Sequence, residues 1–329
     1  MNAIVRGWCP SLARPMATGD GLLSRVSPLG GAMTAEQARA LATASLRHGN
    51  GVLQLTSRAA IQVRGLTAAS ADRFARDITS VGFTDASRVV RPPLAGDDPG
   101  IAPSAAALSD VIERALLGWS PLPKKFAVAV DAGGVLPTGD PGCDVVVRYA
   151  GRRWTVVRGH RTRSRASAVG WYAYGGAEAG AFVLGLPFGS VTADDLANLA
   201  DRIGAGTIRP TPWRAFAITG PAARDAASTP GFIADPDDPR LRVFACPGAP
   251  ACASASVRAR DAAASIAAMR PAYTVHVSGC TKGCAHAGAA RVTLVGADGR
   301  YDLVRDGRAS DTPSLRGLTV AQAIAAVAA

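Results

Sequence analysis

Two stretches, Cys246-Pro-Gly-Ala-Pro-Ala-Cys252 and Ser278-Gly-Cys280-Thr-Lys-Gly-Cys284, carry most of what this sequence says about its fold. Four of the six cysteines fall in them, as pairs with five and three intervening residues and 27 residues between the pairs. Four thiolates so arranged can ligate a 4Fe–4S cluster or one tetrahedral zinc. Zinc pairs usually keep about two to four residues between ligands, so the wider first gap counts against zinc. The flanking Pro and Gly residues build tight turns and leave backbone N–H groups free to hydrogen-bond sulfur, a contact that tunes a cluster's potential. Between the pairs, residues 253–269 read as a helix and 273–277 as a strand that delivers Cys280. Cys9 and Cys143 have no partner at a useful spacing and read as ordinary buried or turn cysteines.

Upstream of the cysteines the chain reads as a duplication. Residues 34–48 form a helix, with Thr34 and Gln37 in capping-box spacing and Gly49 as its stop. Residues 51–56 and 59–65 read as strands and 67–81 as a second helix. The order recurs as a strand at 181–186, a Pro-Phe-Gly turn, a helix at 192–203 and strands at 207–209 and 215–219. Leu29-Gly30-Gly31 with Thr34-Ala35-Glu36 matches Phe188-Gly189 with Thr192-Ala193-Asp194 at an offset of 158, and Thr56-Ser57-Arg58-Ala59 echoes Pro212-Trp213-Arg214-Ala215. A weak repeat at half the chain length implies a duplicated α+β unit with pseudo-twofold symmetry. The Pro-, Gly- and Asp-rich stretches 91–103 and 235–239 lead from each unit into a second layer, and only the second half ends in cysteines.

The 329 residues suffice for about two domains, and 48% hydrophobic content argues against wholesale disorder. Lys and Arg number 36 against 25 acids, a formal net charge of +11, yet only Lys124, Lys125 and Lys282 are lysine. Such a balance admits nucleic acid, an anionic membrane or a polyanionic small molecule. Arg148, Arg152, Arg153, Arg158, Arg161, Arg163 and Arg165 lie in an acid-free segment whose aromatics do not follow an RNA-binding pattern, so nucleic acid is not expected. Clustered Arg suits carboxylate or phosphate. Arg6, Arg14 and Asp20 interrupt the N-terminal region and no apolar window of membrane-spanning length occurs, so the expected location is cytoplasmic with no membrane partner. There, cysteines are expected to do metal or redox chemistry rather than form disulfides.

The two cysteine pairs, with Ser278-Gly279 ahead of the second, resemble the cluster signature of the nitrite and sulfite reductase superfamily, whose last cysteine bridges the cluster to a sirohaem iron. Thr56-Ser57-Arg58 with Gln62 and Gly65 resembles the superfamily's strand motif, whose Arg faces the tetrapyrrole. Leu122-Pro123-Lys124-Lys125-Phe126 resembles its Leu-Pro-x-Lys-Phe motif, which places a lysine over the substrate. Cys9-Pro10, Arg14-Pro15-Met16-Ala17 and Gly19-Asp20-Gly21-Leu22-Leu23-Ser24-Arg25 are similar to the opening of the superfamily's oxygen-dependent branch, the precorrin-3B synthases of aerobic cobalamin synthesis. The reductases' second lysine is replaced here by Ala127, which removes one of two cations that bind the small oxyanion.

The resemblance implies an α+β fold: ferredoxin-like halves at 1–85 and 176–234, a cluster-free reductase-type α/β segment at 86–175 and a cluster-binding one at 235–329. It implies an oxidoreductase, a monooxygenase that hydroxylates precorrin-3A with dioxygen and closes a γ-lactone. Cys246, Cys252, Cys280 and Cys284 would hold a 4Fe–4S cluster. Lys125 would be catalytic, and Arg25, Arg58, Lys124, Lys125, Arg88 and Arg91 would meet the carboxylates of the tetrapyrrole. A separate non-haem iron would activate oxygen, although His48, His160, His276 and His286 give it no evident ligand set. No Gly-x-Gly-x-x-Gly follows a strand, so electrons would come from an external ferredoxin or NAD(P)H-dependent reductase. The alternatives are a sirohaem-dependent sulfite or nitrite reductase and a non-catalytic four-cysteine zinc or Fe–S module.

Overall fold

The computed structural model describes residues 9–119, 121–123, 125–159, 168–174 and 179–328. The first unit runs β1 (Met16–Thr18), β2 (Gly21–Pro28), β3 (Met33–Thr34), α1 (Ala35–His48), β4 (Val52–Leu55), β5 (Ile61–Leu66), α2 (Ala68–Ser80) and β6 (Phe83–Asp85). An α/β segment follows, with β7 (Val89–Val90), α3 (Ala105–Gly118), β8 (Val128–Asp131), β9 (Val145–Ala150) and β10 (Arg153–Arg158). The second unit has β11 (Gly170–Ala173), β12 (Gly180–Gly185), β13 (Ser190–Thr192), α4 (Ala193–Ile203), β14 (Thr207–Pro210) and β15 (Ala215–Thr219). Its own α/β segment comprises β16 (Val243–Ala245), α5 (Ala259–Ala268), β17 (Val275–Ser278), β18 (Ala290–Ala297), β19 (Arg300–Gly307), β20 (Leu315–Leu318) and α6 (Val320–Ala328).

The fold is α+β and duplicated. Strand order β1-β2-β5-β4-β13 in one sheet is matched by β11-β12-β15-β14-β3 in the other, with β6 added to β2. Each unit lends an edge strand to its twin: Val191 of β13 lies opposite Leu53, and Met33 of β3 opposite Ile208. Thr34 caps α1 in a capping box with Gln37, Thr67 caps α2 with Ser70, and the Thr192 hydroxyl accepts from Asp195 N–H at the start of α4. Leu41 of α1 and Leu196 and Leu199 of α4 are fully buried in one core with Leu53, Val63, Phe216 and Ile218 from the two sheets. Burying a Leu of this kind contributes roughly 1.5–3 kcal/mol, so the shared core joins the halves into one body. In both α/β segments three parallel strands are followed by an antiparallel one.

The structure corrects two local expectations. The helix expected at 253–269 spans only Ala259–Ala268. Upstream, Ala255 N–H donates to the Cys252 carbonyl and Ser256 N–H to the Gly279 carbonyl, so the cysteine loops consume donors a helix would need. The repeat at the strand turn is shifted by one residue. Thr56 N–H donates to the Ala60 carbonyl and Thr211 N–H to the Ala215 carbonyl, while Ala59 and Arg214 hold the positive φ, at 58° and 57°. Arg58 therefore matches Trp213, and Arg214 matches Ala59. The second sheet also takes in Gly170–Ala173, which pairs with β12 ahead of the start expected at 176, so we propose that this half begins near residue 168.

Symmetry stops at the outer faces of the sheets, those turned away from the shared core. On the first sheet, cross-strand partners place Arg25 opposite Gln62, Gln62 opposite Gln54 and Gln54 opposite Ser190, a polar row. The matching row on the second sheet is Val183, Ala217 and Arg209. There Leu94, Ile101 and Leu136, on loops of the first α/β segment, pack onto Ala181, Val183, Ala215 and Ala217, and the Arg209 guanidinium is tied to Asp97 at 2.6 Å. One face is filled with hydrocarbon; the other is left polar.

Candidate active site

The loop between Cys246 and Cys252 docks on the polar face of the first sheet. Its anchor is Arg64 of β5, whose side chain is 5% exposed. Arg64 donates to both Asp20 oxygens, at 2.9 and 2.7 Å, to Gln54 Oε1 at 3.2 Å and to the Ala251 carbonyl. Asp20 also accepts from Thr18 and Asn50. Burial alone would raise the Asp20 pKa, but hydrogen bonding and charge from Arg64, helped by Thr18, bring it below the ordinary carboxylate value. Gly19 explains the Gly-Asp-Gly motif: a Cβ there would collide with the Pro250 carbonyl, so only glycine lets the cysteine loop approach this closely.

Cys246 and Cys280 are buried, Cys252 is partly buried and Cys284 is exposed. The four thiols lie within electrostatic range of one another. Gly279 N–H donates to Cys246 Sγ at 3.1 Å, and the Gly248 N–H also points at this sulfur. Among the described residues no three His, Cys, Asp or Glu side chains converge tightly enough for a single metal ion. The described residues thus offer no ligand set for the expected non-haem iron, and no step is derived through such an iron. His48 is bonded to Asp77 at 2.7 Å, and His160 lies outside the described residues. His276 is wholly buried and pushed down to about 3 by burial, with His286 and Arg214 adding to the effect.

A cavity of about 590 Å³ opens at the other end of the polar row. Arg25, Arg58, Arg88 and Arg91 line it, with Cys9, the Leu29-Gly30-Gly31 turn and Phe126; the cluster cysteines do not. Arg25 is lowered in pKa by burial, Cys9 opposing and Arg58 adding to the shift, and its Nε is shielded from solvent without a partner. A buried guanidinium with a donor to spare invites an anionic acceptor. Arg25 also donates to Gln62 at 2.7 Å, Gln62 to Gln54 at 3.3 Å, and Gln54 accepts from Arg64, so a continuous hydrogen-bonded chain joins the cavity to the cysteine loop.

The other expected residues differ in how far they are committed. Arg58 donates to the Lys125 carbonyl at 2.6 Å and Arg88 to the Pro123 carbonyl at 3.1 Å, which docks the Leu-Pro-x-Lys-Phe turn on the cavity wall. The Lys125 side chain is exposed and Lys124 lies outside the described residues. Arg91 is paired with Asp110 at 2.7 Å and with Glu113 of α3, so its charge is already neutralised. Of the arginine run, Arg152, Arg153 and Arg158 are exposed on the β9–β10 hairpin, Arg148 pairs with Asp131, and Arg161, Arg163 and Arg165 lie outside the described residues. Sequence reasoning missed Arg64, Gln54, Arg209 and Arg260. The alternation of Gln62 and Arg64 with Ile61 and Val63 along β5, and a lone Gln54 between Leu53 and Leu55 in β4, were the signals for the first two.

A duplicated ferredoxin-like pair with crossed α/β segments, one open polar face and one cysteine-bearing end define a protein of the nitrite and sulfite reductase class. The nitrite/sulfite reductase ferredoxin-like half domain matches residues 14–81. The solved Mycobacterium tuberculosis NirA protein shares the fold over 91% of this chain and 78% of its own, with a TM-score of 0.70 at 16% identity. A precorrin-3B synthase from Sinorhizobium sp is 32% identical over 94% of this chain and 84% of its own length. The chain belongs to the precorrin-3B synthase family. Among the described residues no helix is long and apolar enough to cross a membrane.

Proposed function

We propose that this protein is an oxygen-dependent precorrin-3B synthase: it hydroxylates precorrin-3A and closes a γ-lactone on the macrocycle in cobalamin synthesis. The observation that carries this reading is the hydrogen-bonded chain from an arginine-lined cavity to a four-cysteine loop pair. Family membership supplies the substrate. Arg25, with its unpartnered Nε, and Arg58 and Arg88 bind substrate acetates and propionates, assisted by Lys125 and Lys124. Arg91, neutralised by Asp110 and Glu113, shapes the wall instead.

The donor set fits a 4Fe–4S cluster: four thiols within electrostatic range of one another and two backbone N–H groups on Cys246 Sγ. Cys246, Cys252, Cys280 and Cys284 would hold it, and it would supply one-electron transfer. One oxygen atom of dioxygen enters the macrocycle and the other leaves as water, with the electron pair from an external ferredoxin or reductase and the protons from solvent. The exposed arginines of the β9–β10 hairpin suit an acidic carrier. The reductase alternative, with sirohaem as cofactor, is weakened by Ala127, which is fully buried and leaves no second cation for a small oxyanion.

Anaerobic purification with a visible spectrum and iron, zinc and sulfide analysis tests the cofactor reading. It expects a broad Fe–S band and about four iron with matching sulfide. About one zinc without sulfide overturns it, and intense sirohaem absorption restores the reductase.

A further inference from the structure

We infer that Arg214 and Arg260 are positioning residues that set the reduction potential of the cluster by placing unneutralised positive charge against its thiolate ligands. The inference rests on the cluster reading above, but its residues come from elements that the cysteine motif does not include.

Arg214 sits at the strand turn of the second unit in a left-handed conformation, φ 57°, that no β-carbon-bearing residue adopts without cost. Its side chain lies across Gly189, where a Cβ would come within 2.7 Å of Arg214 Cδ, so the Pro-Phe-Gly turn is shaped to let it pass. Nη2 then reaches the Cys284 carbonyl at 3.4 Å, with the Cys246 and Cys284 thiols in electrostatic range. The one-residue shift between the two strand turns has a functional reading here. In the first unit the turn aims Arg58 at the cavity; in the second it aims Arg214 at the cysteines.

Arg260 comes from the first turn of α5. Its Nε is sealed from solvent without a hydrogen-bond partner, and Cys246, Arg64, Arg214 and Asp20 lie within electrostatic range of its guanidinium. Burial drives the Arg260 pKa down to about 10, with Arg64 and Arg214 pushing the same way, so it remains charged at neutral pH. Asp20 is the carboxylate among these neighbours and Arg64 already engages both its oxygens. Three guanidiniums thus face one carboxylate, a surplus of positive charge beside four thiols. Unpartnered buried cations are costly unless an anion completes them, and a thiolate-ligated cluster carries net negative charge. Reduction adds a further electron, so fixed positive charge favours the reduced state.

The test is an anaerobic potentiometric titration, followed by electron paramagnetic resonance of the reduced cluster, on the loaded wild-type protein and on Arg214→Gln, Arg260→Met and Arg260→Lys. Arg214→Gln and Arg260→Met are expected to load iron and sulfide and to shift the reduction equilibrium at least tenfold toward the oxidised form, about 59 mV for a one-electron couple. Arg260→Lys keeps the charge and is expected to titrate like wild type. If Arg260→Met fails to load while Arg260→Lys loads fully, Arg214→Gln decides: its tenfold shift upholds the inference and a wild-type equilibrium overturns it. Fully loaded variants within threefold of the wild-type equilibrium overturn it. So does equal loss of iron from the Lys and Met variants, which would make the requirement one of shape. Absence of iron and sulfide from the wild type defeats the cluster reading itself, a separate result.

Discussion

Asp20→Asn isolates the contact that holds the cysteine loop on the first sheet. In the wild type Arg64 gives Asp20 two hydrogen bonds, at 2.9 and 2.7 Å, with side chains 5% and 17% exposed. Removing one partner of a buried ion pair typically costs about 3–5 kcal/mol, because the other charge stays buried. Arg64 keeps Gln54 and the Ala251 carbonyl as acceptors, so the lower end, about 3 kcal/mol, is expected. Thermal unfolding at pH 7 should show a midpoint lower by roughly 4 °C for a chain of 329 residues. The folded-state pKa of Asp20 is depressed, so its stabilisation is complete above the unfolded carboxylate value of about 4 and is lost as pH falls through the folded value. The gap between wild type and Asp20→Asn should therefore close in acid. Replacing Arg64 by Met in the Asp20→Asn background should recover much of the loss, because no buried charge then remains. A variant within about 0.5 kcal/mol of wild type at pH 7, or a double variant less stable than Asp20→Asn, would refute the reasoning.

Gly19→Ala should push the cysteine loop off the sheet, because its Cβ meets the Pro250 carbonyl, and the check is a lower iron-to-protein ratio with the far-ultraviolet circular dichroism unchanged. Leu41→Ala, at a fully buried position on α1, should cost about 2–5 kcal/mol in chemical denaturation while leaving iron content intact. Arg25→Ala should weaken tetrapyrrole binding about tenfold or more in a titration under anaerobic conditions, whereas Arg91→Ala should chiefly lower stability, because Asp110 and Glu113 already occupy it.

Local chemistry made the repeating core legible in the sequence. The Thr34 and Gln37 capping box, the alternation along residues 61–64 and the apolar spacing of α1 and α4 each act over a few residues, and each element formed within two residues of its expected bounds. The cysteine pairs were legible for the same reason, whereas residues 253–258 were misread as helical because their backbone donors serve loops brought together only by the fold. The crossing of each α/β segment onto the opposite unit's sheet has no local signature. Hence neither the filling of the second face by Leu94, Ile101 and Leu136 nor the arrival of Arg214 and Arg260 beside the cysteines could be read from spacing. Arg91 shows the converse: a promising cation in sequence, it is claimed by two acids of α3 only once the chain folds.

The central proposal is that this chain inserts oxygen into a tetrapyrrole held in the arginine-lined cavity, which the Arg25–Gln62–Gln54–Arg64 row joins to the cysteine loop. Anaerobically purified, cluster-loaded protein should be mixed with precorrin-3A, a competent electron donor and isotopically labelled dioxygen, and the product followed by mass spectrometry. The account predicts a lactone-bearing product that carries a single labelled oxygen atom, formed only when cluster, donor and dioxygen are all present. Unchanged precorrin-3A with a fully loaded cluster and a working donor, or a product whose new oxygen comes from water, would contradict it.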